Sequence, residues 1–309
     1  MSALSTAAED YLRLRRSLGH ELTEARRLLP RFVAYLESVG APTVTIEATL
    51  AWAQQPGTDP ATSVWPRRMT IARGFARHMA SIDARTEIPP LGLIPSRHRW
   101  QPPYIYSTTD VEALMAAARA IRFRLPAATH ETVIGLLAST GIRVGEAIRL
   151  DRADIDQAEG VLHIRESKFG KSRFVPVSPS TLAALGQYAQ TRDRLLPTPA
   201  TASFFVSVRG TRLIYPVVQQ VFQRLRESAG VGAGSTIRPR IHGLRHTFAV
   251  RTLMQWYRTG QDVEARLPTL STYLGHRDPR STYWYLSAAP ELLALAAERL
   301  HLSPGVITR

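Results

Sequence analysis

Two segments near the start of the chain, residues 5–18 and 21–39, place hydrophobic residues at helical spacing. In the clearest of them, residues 21–39, apolar side chains recur every three or four positions, which predicts an amphipathic helix. Gly40 and Pro42 end this helix, and Thr45 is placed to cap the next one. We therefore expect a helical module over residues 1–84. The other three helices are predicted over residues 5–18, 45–52 and 63–82.

Proline interrupts this pattern in the next segment. Residues 85–107 contain five prolines among several basic residues. Prolines at this density exclude a helix or a central strand, because proline lacks the backbone N–H donor that both structures need. The segment is predicted to be a basic linker between two domains. The alternative is a surface loop packed on one of them.

The rest of the chain is mainly helical in pattern, and Thr109 is the predicted N-cap of its first helix. One region differs, because residues 161–166 and 172–177 alternate on either side of a Phe-Gly-Lys turn, which predicts a β-hairpin. A short strand is predicted over residues 202–208, and a loop over residues 260–268. The predicted fold class is therefore mainly α with a small antiparallel β-sheet in the second domain.

Charge and composition narrow the range of partners. The chain has 309 residues, enough for one or two domains, and its 39 Lys and Arg against 25 Asp and Glu give a formal net charge of +14. This excess favours a polyanionic partner, DNA or RNA, although a generally basic proteome would also explain it. The chain has no cysteine, which excludes disulfides and thiol chemistry. No apolar run reaches about 18 residues, so no membrane span is expected.

Three stretches carry residues suited to phosphodiester chemistry: residues 140–146, 242–248 and 274–285. Arginine makes forked, two-point contacts with phosphate oxygens, and a tyrosine hydroxyl can act as a covalent nucleophile. His242 and Arg245 are three residues apart, so they share a face near a helix N-terminus, where anions are favoured. Arg143 follows an apolar run at a glycine-marked turn. Its alternative role is a structural ion pair with Glu146 or Asp151.

In order and spacing, these residues resemble the catalytic pattern of the tyrosine recombinases, also called the phage integrase family. That pattern reads Arg, Lys, His-x-x-Arg, His or Trp, and Tyr, and the resemblance covers roughly the last two-thirds of the chain. On the predicted hairpin, the match of residues 167–173 selects Lys168 and leaves Lys171 as the second choice. The matching catalytic positions are Arg143, Lys168, His242, Arg245, His276 and Tyr285.

The resemblance implies site-specific DNA recombination that needs no metal ion, ATP or other cofactor. Tyr285 would attack the scissile phosphorus, leaving a 3′-phosphotyrosine and a free 5′-hydroxyl. Arg143 and Arg245 would hold the non-bridging oxygens and the negative charge that grows on them. Within the family, the run of residues 281–287 resembles the integrases of transposons and phages, which implies a mobile element.

The other three positions would transfer protons or bind the phosphate. The resemblance implies that Lys168 is the general acid for the 5′-oxygen, that His242 accepts the tyrosine proton, and that His276 donates a hydrogen bond to the phosphate. Spacing also chooses between two neighbouring tyrosines. The family places its nucleophile about nine residues after this histidine, which selects Tyr285 and not Tyr283.

The resemblance further implies an architecture and an assembly. A core-binding domain over residues 1–84 and a catalytic domain over residues 108–309 would close around double-stranded DNA as a two-domain clamp. The protein is expected in the bacterial cytoplasm with the nucleoid, as a homotetramer on paired sites and a monomer or dimer when free. The residues expected to contact DNA are Arg67, Arg68, Arg73, Arg97, Arg99, Lys171 and Arg173.

The C-terminal segment bears on that assembly. Its leucines form an apolar stripe just beyond Tyr285. The family resemblance implies that such a segment docks on a neighbouring subunit, and the alternative is packing on its own domain. The stripe consists of Leu292, Leu293, Leu295, Leu300 and Leu302.

Three other functions compete with recombination. A zinc site could use His242, His246 and His276, because His242 and His246 have a metal-ligand spacing, but no acidic residue falls between them as in the His-Glu-x-x-His motif. A type IB topoisomerase shares the same catalytic residues and would relax DNA without paired sites. A DNA-binding protein without catalysis would not need all six catalytic residue types.

Overall fold

The computed structural model describes residues 2–20, 22–57, 62–94, 102–165, 172–276, 278, 280–288 and 292 of the chain. The chain divides into two compact units, Met1–Trp100 and Gln101–Arg309. This division falls inside the segment predicted to be a linker. Each unit has its own hydrophobic core.

Within its described residues, the first unit contains four helices, which confirms the four predicted from the sequence. Phe32 packs against Trp52 with 4.6 Å between ring centroids, and Phe75 is fully buried beside them. Thr45 caps the third helix as predicted, because its hydroxyl accepts the backbone N–H of Ala48 at 3.2 Å. The helices are α1 Ala3–Ser17, α2 Thr23–Ser38, α3 Ile46–Ala53 and α4 Val64–Met79.

The first part of the proline-dense segment packs on this unit. The guanidinium of Arg73 donates to the carbonyls of Pro89 and Pro90 at 2.7 and 2.8 Å. The backbone N–H of Glu87 donates to the carbonyl of Val44 at 2.8 Å. These bonds favour the alternative of a packed loop over a free linker for residues 87–90.

The second unit is mainly helical with one small sheet, as the fold class predicted. The strands are β1 Ile155–Asp156, β2 Val161–Ile164 and β3 Arg173–Pro176. The sheet is antiparallel in the order β1-β2-β3, with Leu162 opposite Val175 on its buried face. The predicted hairpin is thus confirmed as β2 and β3. The helices are α5 Thr108–Arg119, α6 Arg124–Thr140, α7 Val144–Arg149, α8 Pro179–Leu195, α9 Tyr215–Ser228, α10 Gly243–Arg258, α11 Val263–Leu274 and α12 Arg280–Ala288.

Three local predictions for this unit were wrong. Ser107, not Thr109, caps α5, because its hydroxyl and the Asp110 carboxylate bond reciprocally to the backbone N–H groups. Residues 202–208 make isolated bridges and not a strand. The expected loop over residues 260–268 is largely helix α11, although Pro268 lies inside it.

Burial explains why α11 forms despite its proline. A proline inside a helix removes one backbone hydrogen bond. The apolar positions of α11 recur at three- and four-residue intervals and all are buried, so packing outweighs that loss. They are Val263, Leu267, Leu270 and Leu274. Within the described residues, no helix combines the length and apolar character that crossing a bilayer requires.

Candidate active site

The end of α11 is the point at which the site is assembled. The helix stops at Gly275, whose φ of +70° lies in the left-handed region that glycine adopts most readily. A helix leaves its last carbonyls without partners inside the helix. The Leu274 carbonyl accepts a hydrogen bond from Arg245 at 2.7 Å, and the Gly275 carbonyl accepts one from Arg143 at 2.9 Å. Two arginines far apart in sequence are therefore held side by side.

Arg143 lies at the N-cap of α7 and is partly exposed. Its guanidinium donates to the Glu146 carboxylate at 2.7 Å, and its backbone N–H donates to the other oxygen of that carboxylate at 2.9 Å. Helix α6 ends just before it at Gly141, with a φ of +63°, and a Cβ there would lie 2.5 Å from the Phe248 ring. Glycine is thus required for the turn that delivers Arg143 to the site.

Glu146 is buried and has a second arginine partner. Arg173 donates to both of its carboxylate oxygens, at 3.1 and 2.9 Å, and the side chain of Glu146 is only 1% exposed. Burial alone would raise the pKa of Glu146, but the hydrogen bonds and charge of Arg173, joined by Arg143, lower it to about 2. The carboxylate is therefore ionised at neutral pH.

Arg245 is the most deeply placed cation of the site. It lies in the first turn of α10, is 2% exposed, and donates a second bond to the Gly141 carbonyl at 2.8 Å. Burial, followed by the charge of Arg143, lowers the pKa of Arg245 to about 10. The guanidinium still carries its charge at neutral pH.

Two histidines of the pattern flank the arginines. His276 is half-buried, and its Nδ1 lies 2.8 Å from the Thr282 hydroxyl. Loss of hydration and the charges of Arg245 and Arg143 lower the pKa of His276 to about 4. His242 stands exposed at the N-terminus of α10, where partial loss of hydration and the same two charges lower its pKa. Both imidazoles are neutral at neutral pH.

Tyr285 is buried, at 2% exposure, on helix α12. Its ring lies 6.0 Å from that of His276 and 5.5 Å from that of His246. Burial raises the pKa of Tyr285, and the charge and hydrogen bonding of Arg245 partly offset that rise. Tyr283, two residues earlier, is 50% exposed, so the two tyrosines face opposite directions. Five of the six predicted catalytic residues are thus brought together.

Most of the remaining predicted residues fall outside the described part of the chain. Lys168, the sixth catalytic position, lies outside the described residues, as do Lys171, Arg97, Arg99 and the leucines of the tail other than Leu292. Leu292 is buried in the same apolar cluster as Leu274 and Tyr285, so it packs on its own unit.

The arginines of α4, which were expected to contact DNA, are engaged within the first unit. Arg67 pairs with Glu24 at 3.0 Å, and Arg68 donates to the Trp52 carbonyl at 2.9 Å. Arg73 holds the two proline carbonyls described above. Their role on DNA stays a prediction.

Sequence reasoning missed two members of the site. Arg173 was expected to contact DNA, yet it is turned inward and its side chain is only 10% exposed. Thr282, which is fully buried against His276, carried no sequence signal because threonine is common at helix starts. Within the described part of the chain, no group of three or more His, Asp or Glu side chains could hold a metal ion.

Comparison with known proteins shows which family the chain belongs to. The family model described as the phage integrase family matches residues 106–291. The chain is 42% identical to the "Putative integrase/recombinase y4rB" of Sinorhizobium fredii over 97% of its own length and 98% of that protein. The chain belongs to the phage integrase family. As a member it is a tyrosine-type site-specific recombinase, an enzyme that transfers DNA strands.

Solved structures agree with this family at the level of the fold. The integrase of transposon Tn1549, determined in complex with transposon right-end DNA, matches with a TM-score of 0.66 at 16% identity. The match covers 96% of the present recombinase and 99% of that chain.

A second relative from Sinorhizobium fredii, the "Putative integrase/recombinase y4rE", is 38% identical in sequence. The match covers 98% of the present recombinase and 97% of that relative.

Proposed function

We propose that this recombinase cuts and rejoins double-stranded DNA in the bacterial cytoplasm through a covalent bond to Tyr285, as the integrase of a mobile element. One observation carries the proposal. The tyrosine is buried against the guanidinium of Arg245, in the same cluster as Arg143 and His276. Two fixed cations beside a tyrosine match what attack on a phosphodiester requires.

The proposed cleavage step balances as a transesterification. The Tyr285 oxygen bonds to phosphorus while the bond from phosphorus to the 5′-oxygen breaks. His242, whose lowered pKa keeps it neutral at neutral pH, accepts the tyrosine proton. Lys168 gives a proton to the departing 5′-oxygen. The 3′-phosphotyrosine keeps one ester linkage for each one broken, so the 5′-hydroxyl of a second strand can reseal the DNA without ATP.

Three groups stabilise the phosphate in this proposal. Arg143 and Arg245 face the non-bridging oxygens, and their carbonyl partners fix them before substrate arrives. His276 donates a hydrogen bond from the nitrogen that does not face Thr282. Neither arginine has to reorganise at the moment of reaction, which is where preorganised charge is most effective.

The biological role and the assembly are proposed on similarity. The Tn1549 integrase is a transposon protein solved with transposon DNA, and the relatives from Sinorhizobium fredii are named as integrases or recombinases. We infer that the two units clamp double-stranded DNA, and that four copies assemble on paired sites while the free protein is a monomer or dimer.

A nicked duplex tests the chemistry. Duplexes tiled across the DNA that flanks the gene would each carry a nick, so that cleavage releases a short fragment and traps the protein. We expect an adduct that survives detergent, and mass spectrometry of the digested adduct should assign it to Tyr285. Trapping through another residue would refute the proposal. Relaxation of a supercoiled plasmid without paired sites would instead favour a type IB topoisomerase.

A further inference from the structure

A third arginine is held by the end of α11 in the same manner as the two described above. The Nε of Arg173 donates to the Tyr273 carbonyl at 2.7 Å. The next two carbonyls along the chain accept Arg245 and Arg143, so three consecutive carbonyls each bind a different guanidinium. The negative end of the helix dipole favours cations at this position. Arg173 is therefore placed by the same helix end as the catalytic pair.

The other edge of Arg173 is occupied by Glu146. Both Nη atoms donate to this carboxylate, at 3.1 and 2.9 Å, which is the forked geometry that arginine makes with carboxylates. A Cβ at Gly275 would lie 2.8 Å from one of these nitrogens, so the backbone closes tightly over the guanidinium. Arg173 could not reach a DNA phosphate without breaking bonds on both edges.

The charges of this cluster explain why a third arginine is useful. Glu146 also accepts two hydrogen bonds from Arg143. If Arg143 were its only cationic partner, the pair would be neutral and the carboxylate would compete with the phosphate. With Arg173 included, two cations share one anion, and one net positive charge remains for the substrate.

We infer that Arg173 is a positioning residue of the recombinase, which holds the Glu146 carboxylate, keeps Arg143 aimed at the scissile phosphate and leaves one net positive charge in the cluster. The inference rests on the proposed function and deepens it. It requires no contact between Arg173 and DNA. Loss of Arg173 should therefore slow cleavage and leave DNA affinity unchanged.

The first experiment compares Arg173→Met with a matched control, Arg212→Met. Arg212 likewise bonds to a backbone carbonyl, that of Ile148 at 3.0 Å, and to a carboxylate, that of Asp151 at 2.6 Å, but contacts no member of the site. Single-turnover cleavage is measured at saturating protein on a nicked duplex that the wild type cleaves. Arg173→Met should be slower by on the order of 10- to 100-fold, with a Kd within about two-fold of wild type. Arg212→Met should cleave at the wild-type rate.

A double-mutant cycle with Glu146→Gln tests whether Arg173 acts through the carboxylate. If it does, the two substitutions together should slow cleavage no more than the slower single variant. Arg173→Lys should restore part of the rate, because the ammonium keeps the charge but cannot reach both carboxylate oxygens and the Tyr273 carbonyl. Melting temperatures of all variants confirm folding. If Arg173→Met does not fold, Arg173→Lys carries the test.

Several outcomes would overturn the inference. One is a rate within about two-fold of wild type for Arg173→Met, or for Arg173→Lys when that variant carries the test. A second is multiplication of the two single effects in the cycle, which would mean that Arg173 and Glu146 act independently. A third is a loss of DNA affinity as large as the loss of rate, which would make Arg173 a DNA contact. A wild-type protein that forms no adduct would overturn the proposed function, and this inference with it.

Discussion

Arg67 of α4 and the arginines held by the end of α11 show two uses of the same side chain. Arg67 is 48% exposed, and its partners are the Glu24 carboxylate and the Ser63 hydroxyl at the surface. Arg245 is 2% exposed and bonds to two backbone carbonyls. An exposed pair contributes only about 0 to 1 kcal/mol, so Arg67 is free to turn toward a polyanion. A buried arginine is fixed in advance, which suits it to stabilise a transition state and not to search for DNA.

Tyr285→Phe should give the largest effect, because the nucleophile belongs to the fixed region. Removing one oxygen should leave folding and DNA binding intact and eliminate the covalent adduct, a loss on the order of 10⁴-fold or more. Gel detection of trapped complexes measures it. Tyr283→Phe is the control and should still form the adduct. The reverse pattern would move the nucleophile to Tyr283.

Arg143→Ala and Arg245→Ala should each lower the cleavage rate on the order of 100-fold or more. DNA affinity should change little, because many other basic residues contribute to binding the backbone. Arg245→Ala should also destabilise the protein, since two buried carbonyls lose their partner, at about 1–3 kcal/mol for each. Rapid-quench cleavage and urea unfolding separate the two effects. Near-normal cleavage by either variant would reject its assigned role.

His130 is also buried in the second unit, which predicts that the free energy of unfolding depends on pH. Burial lowers the pKa of His130 to about 4, below its ordinary value, so the fold contains the neutral imidazole while the unfolded chain protonates near pH 6.5. The resulting stability is fully present above about pH 6.5 and is lost as the pH falls toward about 4. Between pH 6.5 and 5, urea unfolding should show a loss on the order of 2 kcal/mol from His130. His130→Gln should reduce this pH dependence; an unchanged dependence would contradict the assignment.

A smaller effect is expected from Arg67→Ala in the first unit. If this exposed arginine contacts a phosphate, its loss should lower DNA affinity a few-fold and reduce the slope of log K against log salt by about 1. The rate at saturating protein should not change. Glu24→Gln is the matched partner and should leave affinity equal or higher, because it removes the ion pair that Arg67 makes with Glu24. Slowed cleavage with unchanged affinity would place Arg67 among the fixed arginines and break the comparison.

Removal of metal ions should have no effect on cleavage. Arginine charges and a tyrosine oxygen carry out the proposed step, so the adduct should form at the same rate in EDTA and without ATP. Full-length protein treated with EDTA and then assayed on the nicked duplex provides the measurement. A strict requirement for Mg²⁺ in cleavage would reject the proposed mechanism.

The sequence predicted side chains better than it predicted their backbone partners. His242 and Arg245 could be identified because they match the His-x-x-Arg part of the family pattern and their three-residue spacing puts them on one face of α10. Every residue has a backbone carbonyl, so the sequence does not show which carbonyls will accept hydrogen bonds from the arginines. The acceptors of Arg173 could not be predicted for that reason, since a basic residue beside a hairpin tip resembles a surface contact until its acceptors are known.

Predictions of where elements begin and end were wrong where a local sequence rule and burial favoured different structures. Pro268 argued for a loop, yet the buried stripe of Val263, Leu267, Leu270 and Leu274 forms a helix around it. Ser107 and Thr109 were both acceptable caps by residue type. Each also has an acidic residue three positions later, Asp110 and Glu112, so spacing alone does not distinguish them. In the structure, Asp110 completes the reciprocal bonds with Ser107.

The three carbonyls at the end of α11 also determine which changes the protein can accept over evolution. A carbonyl belongs to every residue, so no point substitution of Tyr273 or Leu274 deletes the acceptor. An insertion or deletion inside the helix would do so, because one residue rotates the helix end by about 100° and shifts it by about 1.5 Å. All three arginines would lose their acceptors together. We expect α11 to vary in sequence on its exposed face and to keep its length between Asp262 and Gly275.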